Sequence, residues 1–438
     1  MIRSVRGDLV APEDVGLTLP HEHVLHTIGS KAASKADLEI KMEDLIVYRR
    51  SPFAFGGRNL QLQNEDEAFR ELERLQQLAA AIGQTRKPLV VDVALLIEGR
   101  DALAKQRLHL AERLSGLHLL TVTTFEIERI NDAFSIGLSP REQSERIAKV
   151  LEAELMFGIE SGGVVAYPGA MYQQIQSSEL GPKERILVQG LGLAQARTHA
   201  PLYLSFSEAS SRGTMAAVQA WFQALLDAGA ESKKLVLCHV DRFCQEHALN
   251  DFVLELLDLG VSVMFDMIGL PAVSDAVLVN PCLTSAICSS DFLESDAEEP
   301  PPERWILRWI PLLIANRPHA THQILLSSNV LQRIQYRRYG GGGYTYLFEI
   351  FKQRLLMQGV TTAQWDQIVC GNVVDLLAWY VAPEAPPIPK NYLQCSICGN
   401  YFEPIEGEYF TKFAFIYCGT KCLRRHSRQK FAPLPTKT

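Results

Sequence analysis

No stretch of this 438-residue chain has the length and apolarity of a membrane span. The best candidate, Leu89 to Ile97, falls well short of the ~18 residues a span needs and carries Asp92 within it. Residues 1–10 hold two arginines and no apolar run, so no secretory leader is expected. Cysteine is scarce: nine in the chain, too few and too irregular for a disulfide framework, which points to a reducing, cytoplasmic setting with the nucleus left open. Positive charge is also in deficit, at a net −7. The last 49 residues carry eight Lys or Arg against three Glu, so the preceding chain stands at −12 once that surplus of five is removed. Its body therefore has no bulk attraction for nucleic acid, and its tail is a separate unit. With 47% hydrophobic and 21% charged residues, the chain has the composition of a folded protein.

Eight short apolar runs alternate with amphipathic stretches of helical period: Leu17–His23, Pro88–Val93, Leu117–Thr124, Gly163–Tyr167, Pro201–Phe206, Leu235–His239, Val261–Asp266 and Gln323–Ser328. Eight βα units close a (β/α)8 TIM barrel. A doubly wound open sheet is the alternative, but no glycine-rich nucleotide fingerprint follows the first run. The expected organisation is a barrel over 1–380, a Pro-rich linker over 381–390 and a small cysteine-bearing module over 391–438. The acidic, Pro-rich segment Ser289–Arg304 reads as a solvated loop, and the tract RRYGGGGY at Arg337–Tyr344 as either a phosphate cradle or a flexible rim loop.

His21 and His23 flank Glu22 at strand spacing, so both imidazoles project to one side and can share a metal ion. The surrounding SVRGDLVAPEDVGLTLPHEH resembles the opening of the phosphotriesterase and phosphotriesterase-related family of the amidohydrolase superfamily. VVDVALLIEGRD, VLCHVDR, FDMIG, ILLSSN and YGGGGYTYLFEIFKQRLLMQGVT continue the resemblance in order over about residues 1–380. It implies a metal-dependent hydrolase with two divalent ions. Their ligands would be two histidines on strand one, a carbamylated lysine on strand four, histidines ending strands five and six, and an aspartate ending strand eight. His21, His23 and His239 match three of these. The lysine position is read onto Ala166, the strand-five histidine onto Ser205 and the strand-eight aspartate onto Asn329.

Those departures have a chemical meaning. Without lysine no carbamate bridges two ions, serine is a poor zinc ligand beside imidazole, and asparagine takes no proton from a bound hydroxide. His21, His23 and His239 remain able to hold a single zinc, with Asp241 and Asp266 as candidate bases and His26 and Glu208 as weaker ones. For both aspartates a helix cap or loop ion pair is the plainer reading. The three histidines are expected to cluster at the barrel mouth without a carboxylate base beside them.

Near the C-terminus, Cys395 and Cys398 form a CxxC and Cys418 and Cys422 a Cx3C, 19 residues later. Two such pairs give tetrahedral zinc ligation, and so small a module needs the metal to fold. Glu-Gly within YFEPIEGEYFTKFAFIY marks a hairpin, and a helix begins at the second pair. The pattern resembles treble-clef fingers of the TRASH and MYM type. Arg424, Arg425, Arg428 and Lys430 make a basic face suited to an acidic protein partner better than to nucleic acid. Two readings of function result. One is a non-catalytic pseudoenzyme barrel that binds or scaffolds and uses its zinc finger for partner contact. The other is a mononuclear zinc hydrolase of an ester, amide, lactone or phosphoester, with a small molecule at the barrel mouth.

Overall fold

The computed structural model describes residues 1–27, 40–50, 59–177, 179–206, 212–243, 251–269, 303–381, 391–398, 401–405, 407, 409–428 and 430–431. It divides into two compact units, Met1–Val381 and Ala382–Thr438. Glu208, most of the acidic segment (289–302) and the Pro-rich stretch 382–390 lie outside the described residues. Among the described residues no helix is long and apolar enough to cross a membrane.

Eight parallel strands form one sheet in the first unit, each hydrogen-bonded to its sequence neighbour. They are β1 (Val15–Glu22), β2 (Lys87–Asp92), β3 (His118–Thr123), β4 (Pro168–Ile175), β5 (Leu202–Phe206), β6 (Leu235–Leu237), β7 (Ser262–Phe265) and β8 (Ile324–Leu326). Helices α1 (Glu65–Ala81), α2 (Ala104–Arg113), α3 (Pro140–Phe157), α4 (Pro182–Thr198), α5 (Arg212–Asp227), α6 (Asp251–Asp258), α7 (Glu303–Asn316) and α8 (Lys352–Met357) follow them in turn. Strand residues alternate between two cores. Val91, Leu120, Ala170, Tyr203 and Val236 fill the barrel interior, while Val90, Leu119, Met171, Leu204 and Leu237 pack under the helices.

Seven strands fall where the apolar runs place them; the fourth does not. Val164–Ala166 pairs with Ile159–Ser161 in a side hairpin turned by Gly162 and Gly163, both at positive φ (58° and 79°). Barrel strand β4 starts beyond it at Pro168, where a missing N–H is tolerated because the position opens the strand. Ala166 therefore stands outside the eight-stranded sheet, and the interior positions of β4 are Ala170 and Tyr172.

Among the described residues no backbone ladder joins β1 to β8. Glu22 closes that seam. Its carboxylate accepts from the Ser327 hydroxyl at 2.7 Å and from the Ser328 and Val330 N–H groups at 2.8 and 2.7 Å. The His21 N–H returns a bond to Ser327 Oγ at 3.0 Å. Below the loop that follows, fully buried Arg107 donates to Asp92 at 2.6 Å and to the carbonyls of Arg100 and Leu25 at 2.7 and 2.9 Å. Asp92 in turn accepts from the Val24 N–H at 3.0 Å.

The glycine tract is packed closely against its own backbone. A Cβ on Gly341 would lie 2.1 Å from the Gln335 carbonyl oxygen, and Gly340 and Gly343 hold φ of 80° and 58°. Close backbone packing explains glycine here. The turn ends on buried Tyr344, whose hydroxyl donates to the His23 carbonyl at 3.2 Å.

The buried Arg107–Asp92 pair gives a stability prediction. Arg107→Met leaves Asp92 buried with one backbone donor and is expected to cost about 3–5 kcal/mol. Arg197→Met, which removes an exposed bridge to Glu145 and Glu152, is expected to cost under about 1 kcal/mol. Urea midpoints of the two variants measure the contrast; equal shifts would refute it.

Candidate functional site

The ends of β1, β6 and β7 bring their polar residues together at the C-terminal mouth. The ring of His21 lies 5.0 Å from that of His239, 6.0 Å from that of His23 and 5.4 Å from that of Tyr172. All three histidines are buried. The expectation concerned a base within reach of a metal-bound water; the carboxylate that does stand beside them is engaged by two of the histidines. Asp266, just past β7, places Oδ1 2.7 Å from His239 Nδ1 and Oδ2 2.8 Å from His21 Nδ1. It also accepts from the His239 N–H at 3.2 Å. Asp266 is thus neither a helix cap nor a surface ion pair.

The His239 contact is an aligned hydrogen bond, so Nδ1 carries the proton and Nε2, which has no partner, presents a lone pair. The His21 contact is short but misaligned, and neither of its ring nitrogens makes a hydrogen bond. Burial pushes His239 down to about 4, against the pull of Asp266, so its ring is neutral. Burial works against ionising Asp266 as well, but His239 and His21 hold its carboxyl well below the usual range.

His23 sits apart from Asp266. Its Nδ1 is 3.4 Å from Glu98 Oε2, another loosely aligned contact, and Glu98 also accepts from the Leu95 N–H at 2.8 Å. His26 packs against His23 at 5.5 Å and meets the Leu331 carbonyl at 3.0 Å, away from the central group. Asp241 does not continue strand β6: Val240–Phe243 forms a 3-10 turn, and the Asp241 carboxylate accepts from the Asp266 N–H at 3.1 Å. Burial, then the charge of Asp266, raises its carboxyl well above the usual range. One of its oxygens supports Asp266, and the other, Oδ1, is buried without a hydrogen-bond partner. Ser205 and Asn329 are buried at the ends of β5 and β8, with the Asn329 Oδ1 unpartnered.

Backbone strain is concentrated here. His239 and Asn329 both hold positive φ, 53° and 45°, a conformation that costs a non-glycine residue about 1–3 kcal/mol. Sequence reasoning missed one neighbour, Cys238. Its sulfur lies with ligand atoms of His21 and Asp266 inside a span of 4.8 Å. A cavity of about 490 Å³ opens at the ends of β2, β3 and β4, lined by Leu95, Ile97, Thr124, Glu126 and Gln173 among others and by none of the histidines, Cys238 or Asp266.

The second unit holds the other cluster. Strands β9 (Leu393–Gln394) and β10 (Tyr401–Phe402) pair, as do β11 (Phe410–Lys412) and β12 (Phe415–Tyr417), ahead of helix α9 (Thr420–Arg428). The second hairpin turns at Phe413 and Ala414, both at positive φ, and not at Glu-Gly. Cys395, Cys398, Cys418 and Cys422 keep their sulfurs within 4.8 Å of one another, with no disulfide. The Cys398–Cys418 and Cys418–Cys422 separations are both 3.7 Å, the ~3.8 Å edge of a tetrahedron with ~2.3 Å zinc–sulfur bonds. Burial opposes ionising Cys395, but the N–H groups of Cys398, Cys418 and Ile397 bring its thiol down to about 6. This donor set fits zinc. His426 fills the small core, 3.0 Å from the Tyr417 hydroxyl and packed on Phe415 and Phe431.

Comparison with known proteins agrees with both units. Residues 390–434 match the Vms1-associating treble clef domain. Over 380 residues the chain is 24% identical to N-acetyltaurine hydrolase of Rattus norvegicus, covering 85% of this chain and 96% of that protein. A phosphotriesterase-related protein of Nematostella vectensis is also 24% identical, over 390 residues, with 85% and 97% covered. Among solved structures, a resiniferatoxin-binding protein from Rhodobacter sphaeroides superposes with a TM-score of 0.63 at 23% identity, over 86% of this chain and 94% of that one. The phosphotriesterase homology protein from Escherichia coli does so with a TM-score of 0.57 at 18% identity, over 83% and 98%. These likenesses show a shared fold, and the match of residues 1–377 to the family's own pattern decides the assignment: the chain belongs to the phosphotriesterase family.

Proposed function

We propose that this barrel has left two-metal hydrolysis and serves as a binding body, holding at most one divalent ion and a small molecule at its mouth, while the zinc module engages a protein partner. The chemistry of the inward positions supports this reading. Two cations a few ångströms apart in a buried site need an anionic bridge. The interior of β4 offers Ala170 and Tyr172, neither of which forms a carbamate, while Ser205 and Asn329 add no charge. Asp266 faces both His21 and His239, which suits it to orienting them more than to activating water. The cavity at the ends of β2, β3 and β4 has the size of a small-ligand pocket. On α9 and just beyond it, Arg424, Arg425, Arg428 and Lys430 are exposed, a face for an acidic partner.

A second reading rests on a specific observation. The Nε2 atoms of His21 and His239 are buried without partners, as the ligands of a catalytic single ion would be. Relatives named for hydrolysis of N-acetyltaurine make an amide the first substrate to test.

Two measurements separate these readings. Cys398→Ser is expected to lower zinc by one per chain and abolish the module's transition while leaving the barrel's melting temperature in place. An unchanged zinc content would remove the zinc assignment. A hydrolase screen of N-acetyltaurine, esters, lactones and phosphotriesters with Zn²⁺, Mn²⁺ or Co²⁺ is expected to give equal background in the parent and in the His21→Ala, His23→Ala double variant. Turnover that vanishes in the double variant would establish the hydrolase instead.

A further inference from the structure

The donor set at the barrel mouth differs from the histidine triad that the sequence pattern suggests. Cys238 and His239 are adjacent at the end of β6, and consecutive strand residues ordinarily point to opposite sides. The left-handed backbone of His239 (φ 53°) breaks that alternation, so both lie at the interior. Cys238 belongs to the interior cluster and is 1% exposed. Its sulfur, a His21 nitrogen and an Asp266 oxygen lie within 4.8 Å of one another.

From this geometry we infer that the barrel holds its single divalent ion on His21, Cys238 and Asp266, a site with one sulfur, one nitrogen and one oxygen ligand. The inference rests on the one-ion part of the proposed function.

Charge favours this set. Three neutral imidazoles, with only the Asp266 carboxylate beside them, would leave one positive charge of the ion uncompensated in a buried pocket, at a cost of several kcal/mol. A thiolate and a carboxylate neutralise a divalent ion fully. The thiol proton leaves to solvent as the ion binds, so the site takes up M²⁺ and releases H⁺. Spacing favours it too. His21 Nδ1 and Asp266 Oδ2 stand 2.8 Å apart without hydrogen-bond alignment, close to the ~3.3 Å kept by two ligand atoms bound at ~2.0–2.1 Å to one tetrahedral ion. The other oxygen of Asp266 is held by His239, which orients the carboxylate from behind. Tyr203, whose buried hydroxyl has no hydrogen-bond partner, is in the same interior cluster as Cys238 and supplies a donor for a bound thiolate. A sulfur ligand selects zinc, cobalt or cadmium over magnesium and calcium.

The test uses the full chain with zinc in its C-terminal module, titrated with Co²⁺. The wild type is expected to gain visible ligand-field bands together with a near-ultraviolet sulfur-to-cobalt charge-transfer band, saturating at one ion per chain. Cys238→Ser is expected to lose the charge-transfer band and weaken Co²⁺ binding tenfold or more, and His21→Ala to lose both signals. Ligand-field bands in the wild type without charge transfer, the same charge-transfer band in Cys238→Ser, or no bound Co²⁺ would overturn the site. If Cys238→Ser does not fold, cadmium NMR of the wild type decides. A second resonance, in the one-sulfur range and distinct from the four-sulfur module, supports the site; its absence refutes it. Turnover in the hydrolase screen would sink the binding-body reading while leaving these spectra untouched, so the two failures are distinguishable.

Discussion

The seam between the first and last barrel strands is held by the side chains of Glu22 and Ser327. Glu22 lies between the two histidines of the HEH segment, and its three hydrogen bonds to Ser327, Ser328 and Val330 substitute for the ladder that β1 and β8 lack. Burial pushes its carboxyl up to about 7 against those donors. The motif therefore has two tasks at once. Its outer residues carry the imidazoles, and its middle residue fixes the strand that presents them. Asp92, bonded to the Val24 N–H and to Arg107, braces the same segment from below. With both braces in place, His21 reaches Asp266 on a strand that is distant in sequence.

This rigidity explains how strained and unsatisfied groups persist at the mouth. Two non-glycine residues at positive φ and several buried polar atoms without partners each carry a cost. Such costs survive where packing over-determines the local conformation, and here they fall at the ends of β6 and β8, where the family places its chemistry. On the proposed reading the barrel no longer holds a second ion, yet the strained geometry remains. A barrel kept only as an inert support would have no physical reason to retain it.

How much was legible in the sequence depended on how local each signal is. Seven strands were readable because their apolar runs are short, β-rich and flanked by helical periodicity. The fourth was displaced because the hairpin strand Val164–Ala166 is an apolar run in its own right, and the true strand opens just beyond it at Pro168. The signal that would have found it was Gly162-Gly163, a two-residue turn between short strands. The cysteine module was legible in full because all its ligands fall within two short spacings. Asp266 entered only as one of two candidate acids, since nothing in FDMIG says that its carboxylate meets two imidazoles from other strands. Cys238 escaped notice because the adjacent histidine took the inward assignment; alternation places Cys238 at the interior with Val236, and the positive φ of His239 accompanies its departure from that alternation.

The two metal-competent clusters illustrate opposite solutions to charge. In the C-terminal module four sulfurs surround one position at partly exposed depth, where a net negative zinc–thiolate centre is tolerated by solvent and by the exposed arginines of α9. At the barrel mouth the donor residues are buried, and neutrality becomes the governing condition. The two-ion pattern of the family meets it with a bridging anion. Once β4 offers only Ala170 and Tyr172 in its interior, the remaining way to hold even one ion without stranding charge is to recruit anions already at hand. Asp266 is ionised by its histidine neighbours, and Cys238 faces inward in step with Val236 on the same strand.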